Sequence, residues 1–99
     1  MATSKIQSLS SHLVTRTKTT ESRSVPTGGV DFDILFSEFN SPGKPLSLAS
    51  WSVNGNGVTN VSVYRAQLDF VNERVRISGK NTSPNTLTLS ATANVVFIE

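Results

Sequence analysis

Asp31 and Asp33 stand two residues apart in a run whose intervening positions are Val30, Phe32, Ile34 and Phe36. On an extended chain that spacing puts both carboxylates on one face. Such a pair can hold Ca²⁺ or flank a glycosidic bond. Alternating acids on a strand are also the pattern of a solvent-facing surface, and we read them that way. His12 is the single histidine and lies in a polar segment with no signature tying it to a nucleophile. No glycine-rich loop joins a strand to a helix, so a phosphate cradle is not expected. With no cysteine, a zinc site would have one imidazole and no thiolate. The residues therefore predict no enzyme, no metal and no cofactor.

Side chains suited to binding are more numerous. Trp51 and Tyr64 can stack on a sugar ring, although Trp51 is in phase with Ala49 and Val53, which predicts core packing. Asn54, Asn56, Lys80 and Asn81 fall in or beside turn segments and offer amides and an ammonium to a polar, sugar-like ligand. Asn60-Val61-Ser62 and Asn81-Thr82-Ser83 match a glycosylation acceptor pattern, which carries no weight without a secretory segment. Nine basic and seven acidic residues leave a net charge of +2. The densest basic group, Arg16, Lys18 and Arg23, is interrupted by Glu21 and by threonines, so no nucleic-acid partner is expected. No stretch approaches the roughly 20 apolar residues of a membrane span, so no membrane insertion is expected.

The elements that would position these groups are strands. A chain of 99 residues is one domain with a thin core. Residues 1–13 read as a tail or stalk-like segment, with Ile6, Leu9 and Leu13 at coiled-coil spacing, and 14–99 as the folded domain. A threonine-rich extended segment, His12–Val25, meets the breaker Pro26-Thr27-Gly28-Gly29. Strands are then expected at Val30–Phe36, around Ala49–Val53, at Val58–Phe70, at Arg74–Lys80 and from Thr86 to the C-terminus. Asn54-Gly55-Asn56-Gly57 gives the strongest hairpin signal. A change in apolar parity within 58–70 predicts a bulge or bend. No helical crossover intervenes, so the sheets should be mainly antiparallel. The expectation is an all-β, six-stranded antiparallel sandwich with Phe32, Ile34, Phe36, Val75, Ile77, Leu87, Leu89 and Phe97 in its core. On a simple strand count, the loops at 26–29, 54–57 and 81–85 share one end. Val96 and Ile98 break the polar face of the last strand, and either the N-terminal segment or a second subunit should cover them.

The order of these features resembles the small β-sandwich module at the tips of bacteriophage tail fibres and related appendages, which is similar to the H-type lectin domain. The resemblance spans 14–99. It rests on the Pro/Gly turn at 26–29, the aromatic strand Val30–Phe36, Phe39-Asn40-Ser41-Pro42, the valine-rich Asn60–Tyr64, the basic strand Arg74–Lys80 and the ending Val95-Val96-Phe97-Ile98. It implies a homotrimer with Val96, Ile98, Ile6, Leu9 and Leu13 at the subunit interface. It also implies a virion protein, assembled in the host cytoplasm among other virion structural proteins. Its function would be receptor binding on a host-surface carbohydrate. The alternative is a purely structural capsid-decoration, head-fibre or baseplate component. The H-type lectin sugar site is not carried over, because Leu87–Asn94 holds neither Trp nor His.

Overall fold

A computed structural model describes residues 12–99. The described residues form seven strands: β1 (Leu13–Thr19), β2 (Arg23–Val25), β3 (Gly28–Leu35), β4 (Lys44–Gly55), β5 (Val61–Asp69), β6 (Arg74–Asn81) and β7 (Leu87–Ile98), with short 3₁₀ turns at Phe36–Phe39 and Val58–Asn60. All pairings are antiparallel and fall into two sheets. The protein is all-β and β-sandwich-like.

The first sheet is organised on β7. Its alternate residues Leu89, Ala91, Ala93, Val95 and Phe97 are at most 1% exposed, which makes β7 the central strand. β4 pairs along one edge from Ile98 to Leu89, while β1 takes Thr92–Ile98 and β2 takes Leu87–Leu89 on the other. The segment expected as one strand from His12 to Val25 is thus two. The backbone leaves the ladder at Glu21 and Ser22. Thr20 bridges the gap, its amide donating to Ala91 O at 2.8 Å and its hydroxyl accepting from the Ala91 amide at 2.9 Å.

The second sheet runs β3-β6-β5. Val30, Phe32 and Ile34 of β3 and Val75 and Ile77 of β6 point inward and meet the buried face of β7 in one apolar cluster. Phe39 joins from the 3₁₀ turn, its ring 5.7 Å from that of Phe97. Of the expected core, Phe36 and Leu87 pack only partly buried against the cluster. The parity change in β5 is a bulge between Val63 and Arg65, which leaves Tyr64 unpaired and returns Ala66 and Leu68 to the inner face. β4 carries two further register shifts, at Pro45/Ser47 and Leu48/Ser50, making Leu46 and Ala49 the extra residues.

The Asn-Gly pairs do not close a hairpin. β4 belongs to the β7 sheet and β5 to the β6 sheet, so 56–60 carries the chain from one sheet to the other. Gly55 is essential to that exit. Its φ is +145°, and a Cβ there would stand 2.2 Å from the Thr88 carbonyl oxygen. The local backbone preference was legible, but a turn residue specifies φ and does not choose the sheet the chain enters next.

Candidate functional site

Three crossovers meet at one end of the sandwich: 26–27 between β2 and β3, 56–60 between β4 and β5, and 82–86 between β6 and β7. Their junction is built on Asn81, which is fully buried. Its Nδ2 donates to Val25 O at 3.0 Å and to Asn85 O at 2.9 Å, while its Oδ1 accepts from the Ser83 amide at 2.9 Å. The Thr27 hydroxyl donates to Ser83 O at 2.6 Å, and the Thr82 amide and hydroxyl donate to Asn60 O at 2.9 and 2.7 Å. No buried side-chain polar atom among the described residues lacks a partner. The loops are therefore clasped to one another, and Asn56, Thr59, Asn60, Thr82 and Asn85 stand exposed on the resulting rim.

The binding residues expected from sequence do not all converge there. Asn81 is withdrawn from the ligand set, because its amide is consumed inside the clasp. Asn56 stands on the rim. Asn54 pairs with Ser90 on the outer face of the β7 sheet, and Lys80 pairs with Gly29 and Ser62 on the outer face of the β6 sheet. These two flank the clasp on opposite sides. Trp51, paired with Ala93, faces the sandwich interior, yet it lies on the edge strand and is 41% exposed. The register shifts before it remove the phase it shared with Ala49, which is itself exposed. Tyr64 is 67% exposed on the β5 bulge. Sequence reading missed Asn60, Thr82 and Asn85 as rim residues. The turn chemistry of Asn81–Asn85 marked a loop but could not say which of its amides would face inward.

The outer face of the β6 sheet is a charge lattice. Arg76 forks onto Asp33 with contacts of 2.7 and 2.8 Å, Arg74 reaches Asp69 at 3.1 Å, and the Ser78 hydroxyl donates to Asp31. The Arg76 guanidinium, through its hydrogen bonds, holds the Asp33 carboxyl below the usual carboxylate range. Both carboxylates of the Asp31/Asp33 pair are thereby engaged by neighbouring side chains. A polar cleft of about 320 Å³ opens at the β1/β3 edge, lined by Lys18, Thr20, Glu21, Asp33, Ile34 and Glu38. Of its carboxylates, Asp33 is held by Arg76 and Glu38 accepts from the Leu35 amide at 2.8 Å.

The outer face of the β7 sheet differs in kind. Thr15, Thr17 and Thr19 of β1, Thr92 and Asn94 of β7, and Ser47, Ser50 and Ser52 of β4 form three polar columns. Thr17 donates to Asn94, whose Nδ2 donates to Ser50 Oγ at 2.7 Å, and the Thr19 and Thr92 hydroxyls are 2.8 Å apart. Among the paired residues of this face the one charged side chain is Lys44, at its end. Val96 and Ile98 lie there, half-buried beside the exposed Leu13. Ile6 and Leu9 lie outside the described residues.

No family model, curated protein or solved structure matches this chain. The fold and its surfaces define an all-β, β-sandwich-like protein with antiparallel sheets.

Proposed function

We propose that the chain is a receptor-binding module of a bacteriophage tail fibre or baseplate appendage, acting as a homotrimer without catalysis or cofactor. The observation that carries this reading is the crossover clasp. It holds exposed amides and hydroxyls on a rigid base at one end of the sandwich, and rigid scaffolds commonly present binding groups on such loops. The ligand class is a polar, glycan-type receptor at the host surface, touched by Asn56, Asn60, Thr82 and Asn85, with Asn54 and Lys80 at the flanks. The winding supports the same class. Pairing β1 and β2 with β7, β3 with β6, β4 with β7 and β5 with β6 is that of a shortened jelly roll, an architecture of viral and lectin domains.

Three copies would meet through the hydroxyl-rich face of the β7 sheet, with Leu13, Val96 and Ile98 at the contact and Lys44 beside Ile98. Weak single-site affinity then rises through avidity. The test is adsorption to host cells or isolated envelope glycans by the wild type and by a variant carrying Asn56→Ala and Asn85→Ala. A loss of ten-fold or more, with circular dichroism and oligomeric mass unchanged, is the expected result. Unchanged adsorption would favour the second reading, a structural virion component. That reading draws on the same hydroxyl-rich sheet face, which suits packing against another subunit.

A further inference from the structure

Asparagine followed by glycine is chemically labile. The glycine nitrogen, once its proton is lost to solvent base, can attack the asparagine Cγ, and no Cβ on the glycine stands in the way. The Cγ–Nδ2 bond breaks, ammonia leaves and a five-membered imide closes. Water then opens the imide at either carbonyl. Opening at Cγ gives an aspartyl residue. Opening at the main-chain carbonyl gives an isoaspartyl residue, whose backbone runs through the former side chain. The sequence holds two such pairs, Asn54-Gly55 and Asn56-Gly57, and every other asparagine is followed by a residue with a side chain.

The fold treats the two pairs differently. Ala91 exchanges both its backbone bonds with Thr20. Its neighbour Ser90 therefore turns its amide and carbonyl the other way, towards its β4 partner Asn54. Those bonds keep Asn54 extended, with the Gly55 nitrogen swung away from Cγ. The side chain is held as well, its Nδ2 donating to Ser52 Oγ at 3.1 Å. Imide closure at Asn54 needs rotation about its Cα–C bond, which breaks the ladder at the end of β4. Asn56 lies past that end, exposed, in the turn before Val58–Asn60. Neither its side chain nor the Gly57 amide is engaged in a hydrogen bond among the described residues. Rotation there breaks no ladder bond.

We propose that Asn56 is a self-modification site, which converts to aspartyl and isoaspartyl products while Asn54 is protected by its strand. Either product puts a carboxylate on a rim of amides and hydroxyls. The isoaspartyl form also adds a backbone atom to the 56–60 crossover, where Gly57 packs so closely that a Cβ would stand 2.8 Å from Leu87 Cδ2. Cyclisation at Asn56 requires nothing of the receptor reading.

The test is to incubate the folded, full-length chain at mildly alkaline pH and follow both positions by fragment-ion mass spectrometry. Isoaspartyl product is scored by enzymatic methyl transfer to its carboxylate. Conversion at 56 should outrun conversion at 54 by about ten-fold or more, a ratio that a local opening of about 1.4 kcal/mol at the end of β4 is enough to give. In urea the two positions should react at similar rates, because only the fold distinguishes them. Asn56→Gln, whose closure would need a six-membered ring, should leave only the slow reaction at 54. The proposal is overturned if the folded chain converts 54 as fast as 56, if 56 stays intact, if the ratio persists in urea, or if the product at 56 is aspartyl alone.

Discussion

Asn81 shows how a single polar side chain can be structural where its type suggests binding. It lies between the β2, β6 and β7 segments and satisfies three backbone groups at once. Replacing it with alanine leaves buried carbonyl and amide groups unpaired, each worth about 1–3 kcal/mol. Asn81→Ala should therefore lower the unfolding free energy by about 2–3 kcal/mol in urea titration, far more than Asn56→Ala on the exposed rim. Glu99 makes a second residue-scale case. Arg16 grips its carboxylate at 2.8 and 2.9 Å and the Ser41 hydroxyl adds a third bond at 2.6 Å. The hydrogen bonds from Arg16, then that from Ser41, bring its pKa from 4.5 down to about 2. A carboxyl whose folded value lies below its unfolded one adds stability above the unfolded pKa and loses it as pH falls through the folded value. The melting-temperature difference between wild type and Glu99→Gln should thus be constant above about pH 5, shrink below pH 4.5 and vanish near pH 2.

At the scale of elements, β7 and the β4–β5 connection carry the fold. β7 pairs with three strands, and its inner residues are almost wholly removed from water. Leu89 is 0% exposed, and Leu89→Ala should cost about 2–5 kcal/mol by chemical denaturation, the range for truncating a buried leucine. Gly55 tests the connection. A methyl group at that position meets the Thr88 carbonyl at 2.2 Å in a backbone conformation that side chains disfavour. Gly55→Ala should destabilise by more than about 1 kcal/mol, the reverse of the gain alanine gives at a compatible glycine. Gly29→Ala, where a Cβ meets nothing within 4 Å, is the matched control.

At the scale of the whole molecule, the two outer faces separate possible partners. The β6 sheet is covered with paired charges, and the β7 sheet presents hydroxyls, Val96 and Ile98. Association through the β7 face, where Lys44 at one end is the one charged side chain among the paired residues, buries fewer ions than association through the β6 face, and desolvation costs several kcal/mol per ion. Light scattering of the wild type should give three times 10.6 kDa at micromolar concentration, and Ile98→Asp should give 10.6 kDa with the strand spectrum retained. A wild type at 10.6 kDa would end the trimer proposal.

Local chemistry in the sequence determined the all-β class, the antiparallel pairing, and the inner and outer faces of β3, β6 and β7. Each follows from period-2 alternation or from connections too short for a helical crossover. Even the bulge at Tyr64 was legible, because one inserted residue reverses the parity of Val61/Val63 against Ala66/Leu68. The shared end of the three loops followed from counting strands. Tertiary structure alone decided which strands pair, since hydrogen-bonded ladders join residues as distant as Val14 and Phe97. It sent Asn-Gly-Asn-Gly between sheets, divided the first strand at Glu21 and Ser22, turned Asn81 inward and left Trp51 on an open edge. The physical reason is one of range. Alternation and turn propensity act over a few residues and fix which side of a strand is dry. Sheet membership and the burial of a polar side chain depend on partners brought in from the far end of the chain.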